Sequence, residues 1–128
     1  MAAVAAHFGR DVERTLTKLS SIVQQARERG VDLLVLPDAT IGGYLGDLRH
    51  PGSTGVDLPP AIALDGPELA TVVSLAGGMT VCFGLTERAV VDGEEVRCNT
   101  AACVSGDGLL GVHRKMHLPL GEAEAYRL

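Results

Sequence analysis

The sequence predicts an α/β fold with layers of helix on sheet, in the order β-α-β, a helix, then a β meander. Three observations carry this. Apolar residues recur at helical spacing between positions 11 and 29, a nearly unbroken aliphatic run, VDLLVL, follows at 31–36, and after position 79 the period changes to strand-like runs separated by Asp-Gly turns. Composition agrees: the chain is 46% hydrophobic but only 3% aromatic and has no Trp, so its core must be aliphatic. That profile suits a sheet buried between layers. At 128 residues the chain is the size of one domain, enough to bury roughly two thirds of the surface of its unfolded form.

The elements follow in order. Residues 2–6 are a short run of small apolar residues that reads as a first strand. Asp11 offers a side-chain cap for a helix through Arg29, with Val12, Leu16, Leu19, Ile22, Val23 and Ala26 on one face. Gly30 supplies the left-handed residue that ends such a helix. The run 31–36 is too short for a helix and reads as a second strand, completing a βαβ unit. In such sheets chemistry collects beyond the carboxyl ends of the strands, which places attention on Pro37 and Asp38. Residues 50–60, rich in Gly and Pro, read as a surface loop. Pro67 suits the first position of a second helix that stops at Gly77-Gly78. Strands are then expected at 79–86, 96–104 and 109–113, joined by turns at 91–94 and 105–108.

Charge and motif content narrow the function. The formal net charge is -5, and no Lys/Arg cluster interleaves with aromatics, which argues against a nucleic-acid partner. The opening MAAVAAHFGRDVER lacks a basic region before its apolar run, and no stretch approaches the ~20 apolar residues of a bilayer span; the expectation is a cytoplasmic protein. Cys82, Cys98 and Cys103 are odd in number, show no paired zinc spacing, and are expected to be reduced, mostly buried thiols. Residues 106–111 spell G-x-G-x-x-G, but Val112, His113 and Pro119 make the segment extended, whereas a dinucleotide fingerprint must open a helix. His113 and His117 lack a third ligand at suitable spacing, so no metal is expected.

Two stretches match one family. LLVLPDATIGGY, residues 33–44, resembles the strand end of the carbon-nitrogen hydrolase (nitrilase) superfamily, where an acid follows proline and a Gly-Tyr lies a few residues on. CNTAACVSGDGLLGVHRKMHLP, residues 98–119, resembles that family's hairpin, an Asn-Thr-Ala strand leading through a Gly-rich turn to Arg-Lys-x-His-Leu. The resemblance covers nearly the whole chain in order. It implies an α-β-β-α sandwich, of which residues 1–128 are the amino-terminal portion of a single domain, commonly paired into a homo-oligomer. It also implies hydrolysis of a non-peptide C–N bond in a small amide, nitrile or N-carbamoyl substrate through a cysteine thioester, with no cofactor. By the same resemblance Asp38 occupies the general-base position, Lys115 the position of the lysine that stabilises the tetrahedral intermediate, and Glu122 or Glu124, with Glu122 preferred, that of a second acid.

The chemistry needs these residue types because a thiol must be made thiolate by a neighbouring base or cation, and the oxyanion formed on attack needs a fixed positive donor. The sequence departs from the family in two respects. Asp38 stands where the family has Glu, one methylene shorter. No cysteine follows Lys115, although the family's nucleophile lies several tens of residues beyond its lysine. The expectation is therefore a chain that ends before the nucleophile strand and is inactive alone. The alternative is a non-catalytic scaffold or interaction module that kept the sheet and lost the chemistry.

Overall fold

The computed structural model describes residues 1–44, 58–119, 122, 123 and 126. Most of the expected loop at 50–60, and Glu124, lie outside the described residues. The chain order is β1 (Ala2–Ala3), α1 (Val12–Glu28), β2 (Leu33–Val35), α2 (Pro67–Ala76), β3 (Thr80–Val91), β4 (Glu94–Ser105) and β5 (Gly108–Arg114). The strands form one sheet in the order β1-β2-β3-β4-β5; β1, β2 and β3 are parallel, and β3, β4 and β5 antiparallel.

Local chemistry explains the helix ends. The Asp11 carboxylate accepts from the Arg14 N–H at 2.9 Å, a cap that contributes about 1 kcal/mol, and Gly30 follows the helix at φ +67°. In α2, Pro67 takes the first helical turn, where its missing N–H costs nothing, and Gly77 closes the other end at φ +55°. Leu19, Val23 and Ala26 of α1 and Leu69, Val72 and Ala76 of α2 bury against Leu34 of β2, Val81, Phe83 and Leu85 of β3, and Ala102 and Val104 of β4. Alternation along the strands turns Cys82, Gly84, Asn99, Ala101 and Cys103 to the other face of the sheet. Among the described residues the sheet is thus covered by helices on one face and carries none on the other, the open face. Among the described residues no helix is long and apolar enough to cross a membrane.

The strands of the hairpin run further than the sequence indicates. β3 continues through Thr86 to Val91, and β4 begins at Glu94, with Val91 paired to Glu94 across the turn. Asp92 at φ +53° and Gly93 at φ +85° make the tight two-residue turn whose twist matches antiparallel strands. The charged ends of these strands look like loop when read along the chain. They are ladder residues because each acquires a partner across the hairpin.

One expectation is corrected. Cys82 and Cys103 are joined as a disulfide and are not separate reduced thiols. They oppose each other directly in the β3–β4 register, with Cα atoms 4.2 Å apart. A separation of 21 residues conceals this pairing until the hairpin register is known. Cys98 alone is a free cysteine, and it is buried.

Candidate active site

β2 delivers Asp38. After Val35, the Leu36 N–H donates to the Cys82 carbonyl at 2.8 Å and the Gly84 N–H donates to the Pro37 carbonyl at 3.2 Å, so the chain stays on β3 to the end of the strand. It then turns through Ala39 at φ +52°, with the Thr40 hydroxyl donating to the Pro37 carbonyl at 2.6 Å. The turn lies directly over Gly84. A Cβ at that position would sit 2.7 Å from the Asp38 Cα, closer than real contacts allow, so glycine is what lets the acid-bearing turn rest on β3. The Ile41 N–H then donates to the Gly84 carbonyl and the Thr86 N–H to the Ile41 carbonyl, both at 3.1 Å.

β5 delivers Lys115. Its N–H donates to the Asn99 carbonyl at 2.8 Å, extending the ladder by one residue, and alternation sends its side chain to the open face. There its Nζ donates to Glu122 Oε2 at 2.8 Å. Glu122 is buried, with a side chain 6% exposed against 33% for Lys115. The hydrogen bond to Glu122 holds the Lys115 ammonium above the usual lysine range, and the charges of Glu122, Asp38 and Tyr44 act in the same direction against the effect of burial. Lys115 is therefore a fixed cation at neutral pH and not a proton acceptor.

Asp38 and Lys115 line one cavity of about 500 Å³ on the open face, floored by Gly84, Asn99 and Ala101 and flanked by His113 and His117. Glu122 stands behind Lys115, reaching the cavity through the ammonium. The three sequence-selected residues are thus brought together: Asp38 and Lys115 at the cavity wall, Glu122 as the lysine's partner. Tyr44 joins them. Burial raises its phenol pKa, and the neighbouring Asp38 carboxylate raises it further, so it stays a neutral hydroxyl beside the acid.

The strand end before Lys115 is held by a group that sequence reasoning did not select. Glu87, 2% exposed, accepts from Arg114 Nη2 at 2.6 Å, from Arg114 Nε at 2.8 Å and from the Thr100 hydroxyl at 2.7 Å. The two-pronged Arg114 contact, followed by the Thr100 bond, keeps the Glu87 carboxyl below its ordinary value despite burial. The available signal was a lone acid inside an otherwise strand-like run. For Tyr44 it was the Gly-Tyr pair already noted as part of the motif.

The three cysteines are placed differently. Cys82 lines the cavity but is consumed in the disulfide. Cys98 lies on the helix-covered face, where burial and then the Glu87 charge push its thiol pKa up, away from thiolate. His113 and His117 both border the cavity, yet among the described residues no three His, Cys, Asp or Glu side chains gather where they could hold a metal ion.

Comparison with known proteins gives a consistent result. The family model for carbon-nitrogen hydrolase matches residues 1–127. An aliphatic nitrilase of Sinorhizobium fredii is 33% identical over 130 residues, which is 91% of this chain and 41% of that protein. Nitrilase 2 of Arabidopsis thaliana is 33% identical over 120 residues, 83% of this chain and 34% of its own length. Among solved structures, an amidase from Nesterenkonia sp. superposes with a TM-score of 0.69 at 18% identity, over 95% of this chain and 44% of that one. A glutamine-dependent NAD+ synthetase from Acinetobacter baumannii gives 0.70 at 20% identity, over 98% of this chain and 23% of that one. The chain therefore spans less than half the length of these relatives, and the likeness to the solved structures is one of fold.

Proposed function

Because this chain belongs to the carbon-nitrogen hydrolase family, we propose that it supplies the base, the cation and the second acid of a site that hydrolyses a small nitrile, amide or N-carbamoyl compound. The observation that carries the reading is the convergence of Asp38 and Lys115 on one cavity, with Glu122 bonded to the lysine. The named activities of the relatives, nitrilase at about a third identity and amidase among the structural neighbours, support nitriles and amides as the first substrates to try.

In the proposed reaction a cysteine contributed by sequence outside residues 1–128 attacks the substrate carbon. In one variant of the Nesterenkonia amidase, acrylamide has added to the active-site cysteine, which supports a nucleophile of that kind on this fold. Asp38 takes the thiol proton as the C–S bond forms, and the negative charge that develops on the substrate oxygen or nitrogen faces the Lys115 ammonium. Glu122 keeps that ammonium in place and charged. From an amide or N-carbamoyl compound, ammonia or an amine leaves with the proton that Asp38 holds; a nitrile takes that proton on its nitrogen to give a thioimidate, and a water adds to its carbon before ammonia leaves. A further water, deprotonated by the same carboxylate, then cleaves the thioester to release the acid. No cofactor enters these steps. Homo-oligomerisation of the complete protein belongs to the same proposal.

Asp38 in place of glutamate reaches one methylene less far, and a misplacement of ~1 Å can lower a rate on the order of 100-fold. That observation supports the second reading, a non-catalytic scaffold. One experiment separates the two: a protein joining these residues to the cysteine is incubated with an aliphatic nitrile or amide, and the acyl-enzyme is sought by mass spectrometry. A thioester on that cysteine supports the hydrolase, and its absence across nitriles, amides and carbamoyl compounds supports the scaffold.

A further inference from the structure

The Lys115–Glu122 pair joins two parts of the chain that are held very differently. Lys115 extends a strand end fixed by the ladder and by the Glu87–Arg114 fork. Glu122 lies beyond Pro119, outside the sheet, in a turn whose local bonds run from the Glu122 and Ala123 N–H groups to the Pro119 carbonyl at 2.8 and 3.1 Å. An ion pair with one member a third exposed contributes little net stability, comparable to the side-chain entropy lost in holding it. The pair does not by itself explain why the turn sits on the sheet.

Tyr126 does. Its N–H donates to the Glu122 carbonyl at 2.9 Å, which ties its backbone to that of the acid. Its side chain is 6% exposed, and its hydroxyl meets the Thr86 hydroxyl at 3.3 Å in a buried contact. Thr86 is on β3 and is fully buried; its own N–H donates to Ile41, in the turn that follows Asp38. The same strand thus seats the Asp38 turn through Gly84 and Ile41 and the Glu122 turn through Thr86. Burying an aromatic ring contributes more than a partly exposed ion pair.

We propose that Tyr126 is the positioning residue of this site: its buried ring and its hydroxyl contact with Thr86 hold the turn on β3 and thereby keep Glu122 on Lys115. This rests on the roles proposed above for Lys115 and Glu122, but it concerns geometry and is testable without turnover. Tyr126 touches no substrate in this account. It acts through Glu122.

The test is competitive acetylation with acetic anhydride across the alkaline range, read by mass spectrometry on the 128-residue chain. Lys18 and Lys115 are its lysines, so Lys18 is an internal reference. Tyr126→Ala is expected to lower the titration midpoint of Lys115 and raise its labelling relative to Lys18 by about threefold or more. Tyr126→Phe and Thr86→Val, which remove only the hydroxyl contact, are expected to move it part of the way. Glu122→Gln should match Tyr126→Ala, and Tyr126→Ala placed on Glu122→Gln should add nothing. A folded Tyr126→Ala chain with wild-type labelling, or an effect of Tyr126→Ala that persists on Glu122→Gln, overturns the proposal. If Tyr126→Ala does not fold, the two hydroxyl variants decide, and wild-type labelling in both overturns it. Acyl-enzyme formation that survives Lys115→Ala would instead overturn the catalytic roles and leave the labelling result standing.

Discussion

Arg114 and Lys115 are adjacent in sequence, and each is paired with a buried carboxylate, yet the two pairs are built for different ends. Arg114 turns to the helix-covered face, where Glu87 takes both prongs of the guanidinium and a hydroxyl from Thr100. Lys115 turns to the open face, where its ammonium donates to Glu122 and lines a cavity shared with Asp38. The Glu87 carboxylate accepts three hydrogen bonds, whereas among the described residues the Lys115 ammonium donates one and borders a cavity. The first arrangement fixes a backbone, and the second leaves a cation beside open space.

The comparison is broken most forcefully by Arg114→Met, which leaves the Glu87 carboxylate buried without its partner. Removing one member of a buried pair is costly, and with Arg114 itself partly exposed we expect a loss of about 2–3 kcal/mol, or a fall of roughly 6–10 °C in Tm by calorimetry. A change below about 0.5 kcal/mol would mean that the fork does not hold the strand end.

Acid sharpens the same contrast. Glu87 is depressed below its ordinary 4.5 by Arg114, so the stability it contributes is fully present above that value and is lost as pH falls through the folded pKa. The gap in stability between wild type and Arg114→Met should therefore narrow as pH is lowered below 4.5. Urea titrations at neutral and acid pH measure it, and a gap that widened with acid would contradict the assignment.

The smallest effect on stability is expected from Lys115→Met. Its raised pKa means that its contribution is complete below the ordinary 10.5 and lost only as pH rises through the higher folded value, and a pair joined by one hydrogen bond, where Glu87 accepts three, is expected to contribute about 0–1 kcal/mol. A loss as large as that of Arg114→Met would make Lys115 a structural residue and remove the contrast.

Much of this was legible along the chain because its causes are local. The Asp11 cap, the Gly30 stop, Pro67 at a helix start and the Asp-Gly turn each act within a few residues, and α1 and α2 fall where they indicate. Asp38 and Lys115 could be selected because a family pattern places them, and the structure sets both on one cavity. What stayed hidden depends on register. Glu87 is an acid without a visible partner in a strand-like run until Arg114, 27 residues away, comes alongside it. Cys82 and Cys103 look like separate thiols until the hairpin sets them opposite each other. Thr86 and Tyr126, 40 residues apart, carry no sequence signal of their contact.

The central claim, that Lys115 is the working cation of a thioester-forming site, is tested most directly by trapping the acyl-enzyme. The comparison is between a protein carrying residues 1–128 together with the cysteine, its Lys115→Ala variant, and residues 1–128 alone, each incubated with an aliphatic nitrile or amide and read by intact-mass spectrometry. The account predicts an acyl adduct on the cysteine in the first and none in the other two, because one lacks the charge facing the developing anion and the other lacks the nucleophile. Turnover by residues 1–128 alone, or an adduct that forms as fast in Lys115→Ala as in the parent, would contradict it.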